Sequence, residues 1–248
     1  MSLHVADTQV SAKTRPWAGI ASNTPIHNRI FSLGNLSDRE ADFLSQNLQR
    51  PILHEAASEL TVAAPLFVLS GWVCRACTLP DGRRQILQLF IAGDLLSDHS
   101  RRKTGTSYAC LTSVKTIDAD ALSIGVSRAP EQFPVLATAF SNLDGDTEER
   151  LIGQIVRTGR LRAHERLAHL ILELYRRHQR CGQVAGNSFP MPLTQEVLAD
   201  ILGLSQVHIN RMLQQLRHEG VVRTAAGKME ILDFARLATF ACVAENEI

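Results

Sequence analysis

The sequence has no apolar run approaching the roughly 18 residues that a membrane-spanning helix requires. It also lacks, over Met1–Thr24, the charged start and apolar core of a secretory leader, so none is expected. Its five cysteines are odd in number and irregularly spaced, which argues against a disulfide framework. A cytoplasmic, reduced protein is therefore expected. No nucleophile, acid–base or phosphate-loop motif stands out, so no enzymatic activity is expected. Cys74-Arg-Ala-Cys77 has no second cysteine pair, and residues three apart on a strand point to opposite faces. Core packing is the simpler reading, with a redox role for Cys74, Cys77 or Cys110 left open. His54 and His99 are isolated, and neither a metal nor a cofactor is expected.

What is present is an ordinary globular composition: 248 residues, 45 % hydrophobic and 21 % charged, with a formal net charge of +1. That length fits two domains better than one. The charge is unevenly placed. Eight arginines between Arg150 and Arg180 face only Glu165 and Glu173. This excess suits a phosphate-binding face, and it equally suits a solvated helix face.

Texture divides the chain. Residues 1–28 lack periodicity and read as a mobile arm. Residues 29–49 read as a short helical entry. From Pro51 to Val126 short apolar runs alternate with turn residues: Leu66–Ser70, Trp72–Thr78, a Pro80-Asp-Gly82 hairpin turn, Gln85–Ile91, a Gly93-Asp94 turn, and a strand pair over Tyr108–Ala121. Then the period becomes helical. Phe133–Thr158 reads as one long helix and Ala163–Gln179 as an amphipathic one carrying Leu167, Leu170, Ile171 and Leu174 on one face. Cys181–Pro192 reads as a loop. The expected fold is α+β, with an arm (1–28), an antiparallel β roll (29–132), a long dimerisation helix (133–160) and a winged helix-turn-helix (161–248).

The helix-turn-helix is the most specific feature. Thr194 can N-cap a helix over Gln195–Leu202, Gly203 suits the sharp turn, and Ser205 can N-cap the next helix. Leu198, Leu202, Leu204, Ile209 and Met212 supply the apolar seam. Residues at the start of the second helix are placed to reach base edges: Gln206, Val207, Asn210 and Arg211, with His208 on the flank. Arg211 can form a bidentate fork to guanine. Gly220–Arg223 and Lys228–Leu232 around Thr224–Gly227 read as a wing that brings Arg223 and Lys228 to phosphates. Thr194 and Gln195 join this DNA-binding set. A winged helix used for protein contacts is the alternative.

This order resembles the Crp/Fnr family of bacterial transcription regulators over residues 30–235. The resemblance is carried by Leu69-Ser-Gly-Trp72, Leu79-Pro-Asp-Gly-Arg-Arg-Gln-Ile86, Ala92-Gly-Asp94, Arg162-Ala-His-Glu-Arg-Leu-Ala168 and, above all, Leu193–Val222. It implies a cyclic-nucleotide-binding-like jelly roll, a homodimer, a palindromic duplex-DNA site and contact with RNA polymerase. Relatives that bind cyclic AMP have a Gly-Glu-Leu turn and an Arg-Ser pair. Here the corresponding stretches read Gly93-Asp-Leu-Leu-Ser-Asp-His99 and Thr106-Ser-Tyr-Ala109, with Arg101, Arg102 and Lys103 nearby. The missing arginine points to an unknown small-molecule effector other than cyclic AMP, or to none. The arm has no cysteine for an iron–sulfur cluster. Many relatives carry glutamate where Val207 stands, so the base beside the Arg211 contact is left open. Residues 51–65 are shorter than the family's roll.

Dimer pairing along the long helix is expected through Leu136, Phe140, Leu143, Leu151, Ile152 and Ile155; packing on the chain's own roll is the alternative. Asp144, Asp146, Glu148 and Glu149 would repel their mates at a parallel seam.

Overall fold

The computed structural model describes residues 24–31, 34–48, 50–97 and 105–243. Most of the arm, His99 and the Arg101–Lys103 cluster lie outside the described residues. Helix α1 (Pro25–Phe31) begins inside the stretch read as arm, because Ile26 and Ile30 bury against the roll. The expected helical entry is two helices, with α2 (Asp38–Asn47) opening on a capping box between Ser37 and Glu40.

Eight strands follow: β1 (Ile52–His54), β2 (Glu59–Leu60), β3 (Leu66–Ser70), β4 (Val73–Thr78), β5 (Arg84–Phe90), β6 (Leu95–Leu96), β7 (Thr106–Cys110) and β8 (Val114–Asp118). They form two antiparallel four-stranded sheets, in the orders β1-β8-β3-β6 and β2-β7-β4-β5. Alternation along each strand decides what fills the space between the sheets. Val68, Val73, Phe90, Leu96, Tyr108, Cys110 and Val114 point inward and form one apolar cluster.

The outer face of the first sheet (Phe67, Leu95, Ile117) is covered by α1, by α2 and by α3 (Asp120–Arg128). Helix α3 departs from the expectation, which carries the strand pair on to Ala121. It is a poor helix former that contains Gly125, and the glycine has a reason. A Cβ there would lie 2.3 Å from Phe43 Cζ, so only glycine admits the ring. Helix α4 (Pro134–Arg160) runs unbroken through Asp144-Gly145-Asp146. Its first N–H groups are capped from afar: Glu40 accepts from Val135 N at 2.8 Å and Leu136 N at 3.2 Å.

The outer face of the second sheet is covered by the C-terminal half. That half comprises α5 (Ala163–Arg180), β9 (Ser188–Pro190), α6 (Gln195–Leu202), α7 (Gln206–His218), β10 (Val222–Ala225), β11 (Lys228–Ile231) and α8 (Phe234–Ala241). Strand β9 lies in the stretch read as loop and completes a β10-β11-β9 sheet. Cys74, Ala76, Ile86 and Leu89 of the roll share one core with Leu170, Ile171 and Leu174 of α5 and with Leu198 and Leu202 of α6. Polar bonds reinforce the same junction. Arg84 pairs with Asp200 at 2.7 Å, and Gln154 donates to the Ile201 carbonyl at 2.5 Å. No helix among the described residues is long and apolar enough to cross a membrane.

Candidate nucleic-acid interface

The two helices of the motif are set by local chemistry. The Thr194 hydroxyl accepts from Val197 N at 3.2 Å and starts α6. Gly203 ends it in the left-handed region at φ +63°, which lets Leu204 N reach back to the Ala199 carbonyl at 3.1 Å. Ser205 caps α7 by accepting from His208 N at 3.3 Å. Leu198, Leu202, Ile209 and Met212 are buried in the seam, Leu204 is half-buried, and Ala199 is buried where the helices cross.

This packing turns the other face of α7 outward. Gln206, Val207, His208, Asn210 and Arg211 are all exposed, Val207 to 78 %. An exposed valine with no core to join is an apolar group held ready for a partner. The first turn of α7 contains no acidic residue, so its positive end faces outward unopposed. Gln214 is also exposed, one turn beyond Asn210 and Arg211, and extends the same face. It is absent from the residues singled out in the sequence, although the helical period marks it. His208 is partly committed, since its Nδ1 lies 2.8 Å from the Ser205 hydroxyl.

The wing turns through Ala226 and Gly227, both at positive φ. Lys228 is exposed at its base, and Arg223 is exposed but pairs with Glu230 at 2.7 Å. Thr194, Gln195, Arg217 and Lys228 line one open cleft between α6, α7 and the wing, with a volume of about 450 Å³.

The long helix divides into two faces. Leu136 and Leu143 are buried and Phe140 is half-buried, all against the chain's own roll, with the Phe140 ring 5.9 Å from that of Phe67. These three expected dimer residues are therefore engaged within the chain, because the roll's outer sheet needs a cover. Leu151 is half-buried. Ile152, Ile155 and Val156 remain exposed, at 55 %, 69 % and 46 %. Asp146 turns to Arg29 and Arg180 of its own chain, and so leaves the set of expected seam charges.

Part of the arginine excess turns inward, while Arg160, Arg162 and Arg180 stay exposed. Arg157 and Arg177 are buried, Arg150 is half-buried, and they pair with Asp94 and Glu173 inside the molecule. Burial alone would raise the Asp94 pKa; Arg177 and Arg150 outweigh it and hold the carboxyl below its ordinary value. Cys74 lies in the shared core and Cys110 between the two sheets, on opposite faces of one sheet. His54 bonds Thr116 Oγ1 at 2.8 Å.

Residues 165–240 match the family described as the Crp-like helix-turn-helix domain. The chain is similar to the nitrogen fixation regulation protein FixK of Bradyrhizobium diazoefficiens, 27 % identical over 174 residues covering 70 % of this chain and 72 % of that one. It is similar to the transcriptional activator protein FnrL of Cereibacter sphaeroides, 28 % identical over 185 residues covering 68 % of this chain and 69 % of that one. Among solved structures, FixK2 from Bradyrhizobium japonicum shares the fold with a TM-score of 0.67 at 20 % identity, covering 78 % of this chain and 98 % of that one.

Proposed function

For a chain that belongs to the Crp/Fnr family of DNA-binding transcription regulators, we propose a homodimer that reads a palindromic DNA site through Arg211. The observation that carries this reading is the exposed, N-capped start of α7, with Gln206, Val207, Asn210 and Arg211 on one face. Thr194, Gln195, Ser205, His208, Arg223 and Lys228 flank that face and position it on phosphates. Arg223 first has to leave Glu230 or share it. RNA polymerase is the partner through which such a bound dimer raises or lowers transcription.

Ile152, Ile155 and Val156 supply the dimer contact, since they form an exposed apolar strip on a helix otherwise engaged with its own roll. The effector is other than cyclic AMP. Phe90, Tyr108, Leu96 and Val114 are buried between the two sheets, β7 itself offers no arginine for a cyclic phosphate, and the guanidinium beside it, Arg75 of β4, lies over the Tyr108 ring and donates to Thr106 Oγ1 at 3.1 Å.

The test is a gel shift of the full chain on selected half-sites. Arg211→Ala is expected to lose roughly 1–3 kcal/mol of base discrimination while keeping weak, salt-sensitive binding. Unchanged discrimination between cognate and mutated half-sites would remove Arg211 from its assigned role.

A further inference from the structure

We propose that the charged cavity between α1, α4 and α5 binds a small multivalent oxyanion, a compound carrying several carboxylates or a phosphate. The cavity measures about 330 Å³. Its walls include Arg29 of α1, Asp94 of the turn after β5, Arg150 and Ile152 of α4, and Arg177 and Arg180 of α5. This site lies outside the space between the two sheets, and it does not depend on the DNA-binding reading.

Asp94 is shared by Arg177 at 2.5 Å and Arg150 at 3.4 Å. Glu173 is shared by Arg157 and by Arg177 at 3.3 Å. Asp146 is shared by Arg29 and by Arg180 at 3.8 Å. Four lining guanidinium groups, of Arg29, Arg150, Arg177 and Arg180, thus divide three carboxylates, with Arg157 on Glu173 from outside the cavity, which leaves the cavity itself one surplus positive charge. The other two charged lining residues, Arg176 and Glu149, are one of each sign.

A surplus cation is costly when it is removed from water, and Arg29, Arg157 and Arg177 are buried. Burial and the neighbouring guanidinium groups push Arg29 and Arg150 below the ordinary arginine value, against the pull of Asp94. The Nε groups of Arg150 and Arg177 are buried and have no hydrogen-bond partner among the described residues. Planar guanidinium donors suit carboxylate and phosphate oxygens. An oxyanion in the cavity would supply the missing charge. A neutral ligand would not supply the charge. The occupant would touch the roll, the long helix and α5 together, and Ile152 ties the cavity to the exposed strip of α4.

The experiment uses the full chain without DNA. Citrate and inorganic phosphate are titrated separately by calorimetry, with potassium chloride at matched ionic strength as control. Saturable binding of either is expected, citrate alone marking a carboxylate ligand and phosphate alone a phosphorylated one. Hydrogen exchange should slow over residues 146–153 and 176–181. Arg180 is 54 % exposed, so Arg180→Gln keeps the fold and should weaken binding about tenfold. The proposal is overturned if neither probe binds beyond the chloride control, if Arg180→Gln binds as tightly as the parent, or if protection falls elsewhere.

Discussion

His178 shows how a single buried side chain makes the whole protein sensitive to pH. Its ring packs 5.5 Å from the rings of both Trp72 and Phe189, and Nδ1 lies 2.9 Å from Gln183 Oε1. Burial pushes its pKa from 6.5 down to about 4; the Gln183 bond opposes this and the Arg177 charge adds to it. The unfolded chain therefore takes up a proton that the folded chain refuses. Stability contributed by the neutral ring is intact above about pH 6.5 and is lost as the pH falls toward 4. The full loss is about 3 kcal/mol. Urea denaturation at about pH 7 and about pH 4.5 captures most of it, and His178→Gln should flatten the difference. An equal pH dependence in the variant would move the cause elsewhere. Asp94 and Glu173 act in a lower window. Their folded pKa values are depressed despite burial, so their contribution is present above the ordinary carboxylate range and disappears as acid protonates them.

Elements whose determinants are local are legible in the sequence; those defined by distant partners are not. The caps Thr194 and Ser205 and the glycine at 203 act within a few residues, so α6 begins and ends, and α7 begins, where the sequence places them. Strand β9 exists because Ser188–Pro190 pairs with β11, far along the chain, and its Gly- and Pro-rich flanks disguise it as loop. Helix α8 is short and gains its place by packing on α5. The arginines of α4 and α5 are visible as an excess, yet the inward direction of Arg150 and Arg177 depends on Asp94 in a turn of the roll. At the turn of the motif, Gly203→Ala has room, since the nearest atoms to a Cβ are Arg166 Nη1 at 3.7 Å and Gln85 Oε1 at 3.8 Å. The cost is therefore backbone strain alone, roughly 1–2 kcal/mol, read as a lowered denaturation midpoint. A larger loss would mean that the turn itself rearranges.

At the scale of the whole molecule, α4 joins two tasks that pull on different faces. Its first half covers the roll with Leu136 and Leu143, and its second half leaves Ile152, Ile155 and Val156 in solvent. Pairing with a second copy removes such a strip from water at roughly 25 cal/mol per Å². Introducing charge there without touching the roll separates the two tasks. On the proposed dimer, the parent chain should sediment as a dimer and Ile152→Asp with Ile155→Asp as a folded monomer at the same concentration. Persistence of the dimer in this double variant would place the interface on another surface. Within one chain, the roll and the winged helix are held by one core rather than by a hinge. Ile86 of β5 is fully buried in the cluster that also contains Leu198 and Leu202 of α6, and Gln154 of α4 bonds carbonyls on both sides, at Ile86 and Ile201. Neither half can lose its packing without exposing apolar surface on the other. Unfolding should therefore be a single cooperative transition, with Trp fluorescence and far-UV circular dichroism giving coincident curves. Ile86→Ala removes buried side-chain volume at the junction and should cost roughly 2–5 kcal/mol. If the two halves were independent, that loss would lower one of two transitions and leave the other in place. A common midpoint that shifts as one is the outcome expected of a shared core, and it means that a change at the roll is felt directly at the helices that present Arg211.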